Sequence, residues 1–158
     1  AKTLNYKIKI HTNGMFYERL KTILAQKLVD HVSLDIKNAP SAYAKTCGVE
    51  DMDLKDIEKS LDLLKQSVVP YDICVTLVDE LHNQATIEEL GQWIQGVDTV
   101  ILQPFEDSET TIDHSLHRPS FEVVLKYKKI FEKYVKHVKI RGIKHDRSRK
   151  KGWVHSWF

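Results

Sequence analysis

The sequence predicts an α/β fold: a parallel sheet curled into a partial (β/α) barrel, with its helices on the outer face. Three observations lead there. Short β-type runs alternate with helix-length stretches along the chain, the pattern of successive βα units. The strands alternate apolar and polar residues, whereas a parallel sheet covered on both faces reads as continuous apolar runs. Helix-length connections between successive strands also weigh against an antiparallel meander with one solvated face. Right-handed crossovers added in one direction leave every helix on one side, and the sheet then curls around a polar lumen.

The first strand is read from Tyr6 to His11 and stops at the turn-forming pair Asn13-Gly14. Phe16, Leu20, Ile23 and Leu24 then recur at helical spacing to about Gln26. A second strand, His31 to Lys37, leads into a loop around Pro40 and Gly48. Asp53 reads as the N-cap of a helix to about Gln66, with acidic residues in its first turn and Leu54, Ile57, Leu61 and Leu64 as its apolar stripe. Pro70 opens the third strand, Tyr71 to Val78. Thr86 and Glu89 have capping-box spacing, so a helix is expected from Thr86 to Gln95, ended by Gly96. The fourth strand, Thr99 to Gln103, stops at Pro104, and a polar loop from Glu106 to Arg118 follows. A helix from Pro119 to Tyr134, with proline in its first turn, precedes the fifth strand, His137 to Arg141.

Side chains alternate across a strand, so each strand sorts its residues by face. Val32, Leu34 and Ile36 oppose His31, Ser33, Asp35 and Lys37. Ile73, Val75 and Leu77 oppose Asp72, Cys74 and Thr76, and the first and fifth strands divide in the same way. One face is expected to carry helices and the other to be polar and wet.

A length of 158 residues suits one domain with one core. With 42% hydrophobic and 29% charged residues, the composition is neither that of a disordered chain nor that of a membrane protein. No apolar run approaches the ~20 residues of a membrane span, so a cytoplasmic protein is expected. Lys and Arg number 24 against 22 Asp and Glu, too balanced to imply a nucleic-acid partner from bulk charge. Cys47 and Cys74 form no C-x-x-C pair, which fits a reducing compartment, and two thiols alone cannot hold an iron–sulfur cluster. The opening Ala1-Lys2-Thr3-Leu4-Asn5 has neither an initiator Met nor a signal-peptide core and reads as a cut or processed start.

Ligands of βα folds sit at the C-terminal ends of the strands. Here those ends are polar: His11-Thr12-Asn13-Gly14, Asp35-Ile36-Lys37-Asn38, Thr76 with Asp79, and Gln103-Pro104-Phe105-Glu106. Asp35 and Lys37 fall on the same face, where an acceptor and a cation can bind a ligand bearing hydroxyl, ammonium or carboxylate groups. Asn13 beside Gly14 combines close backbone approach with a side-chain amide. The same residues also suit a plain turn and a structural ion pair, so both readings stand at this level.

Taken in order, His11-Thr12-Asn13-Gly14, Asp35-Ile36-Lys37, Ala39-Pro40 with Tyr43 and Gly48, and Leu102-Gln103-Pro104-Phe105 resemble radical S-adenosylmethionine (SAM) enzymes. The nearest branch is the activating proteins of glycyl-radical enzymes, those of anaerobic ribonucleoside-triphosphate reductase first and the pyruvate formate-lyase activators next. The likeness runs from about residue 5 to Gly142. It implies that Asn13, Asp35 and Lys37, with Thr12 nearby, contact SAM, and the same rim adds Thr76 and Gln103 as cofactor-binding residues. His11 stands where the family usually has Asp.

The family's C-x3-C-x2-C cluster loop and its Gly-Gly-Glu strand end do not occur in this chain. In the family, a reduced 4Fe–4S cluster cleaves SAM, and the resulting 5′-deoxyadenosyl radical takes hydrogen from a glycine of the partner. The resemblance therefore implies the C-terminal portion of a larger oxidoreductase, a partial barrel lacking its first strands. The intact parent would use SAM and a 4Fe–4S cluster, while this chain alone is expected to hold neither and to be inactive. Its partner would be a glycyl-radical enzyme such as anaerobic ribonucleotide reductase or pyruvate formate-lyase. The first strand is also expected to be an exposed edge, open to self-association.

Residues 1–142 are assigned to the barrel and 143–158 to a basic, tryptophan-containing tail. Lys144 through Lys151 holds five cations and one anion, followed by Trp153 and Trp157, which supports a nucleic-acid-binding module as the alternative function. A non-catalytic interaction module, docking through the Glu106 to Arg118 loop, is a third. Asp113, His114 and His117 could supply metal ligands, although histidine-rich surface loops commonly do not. Neither Cys47 nor Cys74 has an evident activating base in the sequence.

Overall fold

The structure, a computed structural model, describes residues 6–142; the predicted tail lies outside the described residues. Its strands are β1 (Lys9–Thr12), β2 (His31–Asp35), β3 (Tyr71–Leu77), β4 (Thr99–Pro104) and β5 (His137–Ile140). They form one sheet in chain order, every neighbouring pair parallel, as the alternating pattern predicts. The helices are α1 (Tyr17–Ala25), α2 (Pro40–Thr46), α3 (Lys55–Lys65), α4 (Gln84–Trp93) and α5 (Phe121–Phe131).

Four local expectations need correction. The segment after β2, read as a loop, contains α2, which begins with Pro40 and buries Tyr43 edge-on against Trp93, with ring centroids 6.1 Å apart. A seven-residue helix is marginal by propensity alone, and this tertiary contact stabilises it. Asn83, not Thr86, caps α4: its side chain accepts from the Thr86 N–H while the Thr86 hydroxyl accepts from the Asn83 N–H. Ser120 caps α5, which leaves Pro119 outside the helix. Asp53 does accept from the Lys55 N–H at 3.0 Å, but Leu54 occupies the N-cap position.

The core lies between the helices and one face of the sheet. Val32, Leu34, Ile73, Val75, Val100 and Leu102 project from the strands onto Leu20, Ile57, Leu61, Ile87, Leu90, Val124 and Phe131 of the helices. Every one of these side chains is buried, and burial of that apolar area is the main force fixing each helix to the same side.

The opposite face is less wet than expected. Ser33 and Asp72 are buried there. Asp72 Oδ2 accepts from Lys9 Nζ at 3.0 Å and lies 2.7 Å from His31 Nε2, while Ser33 Oγ donates to Oδ1. Burial alone would raise the Asp72 pKa; the hydrogen bonds from Ser33, His31 and Lys9 outweigh it and hold the carboxyl below its ordinary value. Three strands brought side by side pair these groups with one another and displace water.

Candidate ligand-binding cleft

Beyond that cluster, toward the C-terminal ends of the strands, the polar face opens into a cleft of about 630 Å³. Thr12, Asn13, Asp35, Lys37, Thr76 and Gln103, all predicted from the sequence, line it together. They come from four strand ends that parallel pairing brings level, with Asp35 beside Cys74 and Thr76 beside Gln103. His11, Phe16, Cys74 and Arg141 complete the lining. Arg141 lies in no motif, and its alternation with Lys139 along the fifth strand is the sequence signal for its place on this face.

The β1 end is a fixed turn. Thr12 Oγ1 accepts from the Gly14 N–H at 3.1 Å, and Asn13 Oδ1 accepts from the Met15 N–H at 3.2 Å. The Asn13 amide nitrogen bonds to no described residue and remains a donor. Gly14 has φ +77°, and its carbonyl accepts from Ser60 Oγ of α3 at 2.8 Å. An added Cβ there would stand 2.9 Å from Leu34 Cδ1, so the turn requires glycine.

On β2 and its extension, Lys37 Nζ donates to Asp35 Oδ2 at 2.5 Å, while Asp35 Oδ1 has no partner among the described residues. Asn38 is buried and donates to Thr46 Oγ1 and the Leu81 carbonyl, fixing the segment after Lys37. Burial pushes the Tyr43 phenol up to about 12 and also raises the Cys47 and Cys74 thiols. Such thiols are mostly protonated and poor nucleophiles near neutral pH.

The other metal-type candidates disperse. His114 pairs with Asp107, His117 with Glu80, and Asp113 accepts from Ser115. Among the described residues, no three His, Cys, Asp or Glu side chains are grouped to hold a metal ion.

No family model matches the chain. Its fold is similar to a domain of the pyruvate-formate lyase-activating enzyme from Bacteroides vulgatus, with a TM-score of 0.66, 16% identity, and coverage of 89% of this chain and 84% of that one. It is also similar to a radical SAM methyltransferase from Sphaerobacter thermophilus, with a TM-score of 0.67, 16% identity, and coverage of 88% and 43%. The chain thus shares the fold of these two domains, and its own sheet is the parallel one with helices that the sequence predicts.

In sequence, the chain is 28% identical over 148 residues to a protein of Methanocaldococcus jannaschii named as a candidate glycyl-radical enzyme activating enzyme. The match covers 90% of this chain, which spans 62% of the length of that curated relative. The resemblance to radical SAM activating enzymes read from the motifs is therefore matched by a curated homologue. No described helix is long and apolar enough to cross a membrane.

Proposed function

We propose that the chain is the C-terminal portion of a radical SAM activating enzyme and that the cleft is its part of the SAM site. The observation that carries this reading is the convergence of the five motif residues Thr12, Asn13, Asp35, Lys37 and Gln103, with the strand-end Thr76, on one cleft. Their donor set suits the ligand. Asp35 keeps an acceptor oxygen for an ammonium or ribose hydroxyl, Lys37 offers a cation held by Asp35, and Asn13, Thr76 and Gln103 offer neutral hydrogen bonds. In the parent, bound SAM supplies the source of the radical that takes hydrogen from a glycine of a partner glycyl-radical enzyme. The residues of this chain bind and orient the molecule.

They do not fit the cluster. Cys47 follows α2 and Cys74 lies buried on β3, and these two thiols are too few for the family's three-cysteine loop. No electron-transfer step is assigned to this chain.

The test is calorimetric titration of SAM into the intact parent. Asp35→Ala should weaken binding by about 1–3 kcal/mol, the loss expected for a charge-assisted hydrogen bond. Unchanged affinity would overturn the assignment.

A further inference from the structure

Arg141 is the charged residue of the cleft that lies outside the motifs. It stands at the end of β5, half-buried, with its backbone N–H on the Leu102 carbonyl at 2.9 Å. Leu102 pairs with Ile140, so the next step along the two strands sets Arg141 beside Gln103, on the face that lines the cleft. Neither the Arg141 guanidinium nor the Gln103 carboxamide has a hydrogen-bond or ion-pair partner among the described residues. Thr76, level with Gln103 on β3, adds an unpartnered hydroxyl to the same row. Among the described residues, the only carboxylate lining the cleft is Asp35, already paired with Lys37. Among the described residues, nothing compensates the positive charge that Arg141 gives this wall.

The wall is also held in place. Arg118 bridges Glu106 Oε1 at 2.8 Å and the carbonyl of Gly142 at 2.7 Å, so the loop after β4 clamps the residue that follows Arg141. A planar guanidinium with several N–H donors, beside an amide that can also donate, is suited to a two-oxygen anion.

We propose that Arg141 and Gln103 form an oxyanion clamp for a carboxylate or phosphate group of a ligand entering the β4–β5 side of the cleft. This is a binding role separate from the SAM contacts centred on Asp35 and Lys37, and it gives the cleft a preference for anionic molecules on that side.

The probes are inorganic phosphate and acetate, titrated separately into the full chain at constant ionic strength while the arginine Nε–H and glutamine amide resonances are followed. A saturable shift of one arginine and one glutamine signal is expected. Arg141→Gln should weaken the binding about tenfold or more, as loss of a charge-assisted contact does. Arg141→Lys should retain part of it, and Lys136→Gln, whose lysine pairs with Asp98 away from the cleft, should leave it unchanged. Tighter binding of phosphate identifies a phosphate site, and acetate binding as tight or tighter identifies a carboxylate site. Unsaturable shifts with both anions, or equal binding in Arg141→Gln, would overturn the clamp. Neither probe is SAM, so failure here is distinguishable from failure of the cofactor assignment.

Discussion

His82 holds the main chain of Lys37: its buried imidazole lies with Nε2 3.0 Å from the Lys37 carbonyl, while Nδ1 lies 3.1 Å from both the N–H and the carbonyl of Val78. The Lys37 carbonyl can only accept, which places a ring hydrogen on Nε2, and burial favours the neutral ring, whose Nδ1 accepts from the Val78 N–H. Tyr127 of α5 donates to the His82 carbonyl at 3.0 Å, so a helix behind the sheet supports the residue that fixes one side of the cleft.

Burial lowers the His82 pKa, with hydrogen bonds to the Lys37 and Val78 carbonyls opposing it only in part. The unfolded chain then binds a proton more readily than the folded one, so stability falls as pH drops below the ordinary histidine value of 6.5. His82→Gln should lose about 1–3 kcal/mol at pH 7.5 and show a flatter decline to pH 5. Urea denaturation at the two pH values checks this, and an unchanged slope in the variant would count against it. Asp72 does not mask the effect. Its lowered pKa contributes stability above about pH 4 that is lost only at greater acidity.

Gly14→Ala should destabilise the protein by about 1–3 kcal/mol, because it combines a positive φ with a Cβ driven against Leu34. Gly48→Ala is the comparison: its φ is +70°, but no atom lies within 4 Å of the added carbon, so only the backbone cost of about 1 kcal/mol remains. Thermal melts of the two variants that coincide would refute the packing part of the argument.

Anaerobic reconstitution of the chain with iron and sulfide should yield no stable 4Fe–4S cluster and no cleavage of SAM, since Cys47 and Cys74 are its only thiolate donors. Electron paramagnetic resonance after reduction is the measurement. A cluster signal with turnover would show that two cysteines and other ligands suffice.

Among the described residues, β1 pairs with β2 alone and so forms one edge of the sheet. Edges recruit other strands unless charge or a covering segment blocks them, and the exposed Lys7 supplies some of that charge. We expect weak self-association through this edge, seen as a concentration-dependent sedimentation coefficient with slowed amide exchange at residues 6–11. A strict monomer at all concentrations would exclude it.

The sequence by itself determined the βα order, the five strands to within a few residues, and the face on which each strand residue lies. These follow from a period of two and from helical spacing, which are local properties of the chain. It also pointed to Asn13, Asp35, Lys37, Thr76 and Gln103, since parallel strands of one sheet end on the same side. Tertiary structure alone decided the rest. Helix α2 depends on Tyr43 meeting Trp93, 50 residues further along the chain. Asp72 is buried because Lys9 and His31, 63 and 41 residues away, surround its carboxylate. Arg141 joins the cleft because β5 pairs with β4 in a register that sets it beside Gln103. Local periodicity assigns a side chain to a face, whereas its neighbours on that face depend on which distant strands pair and at what offset.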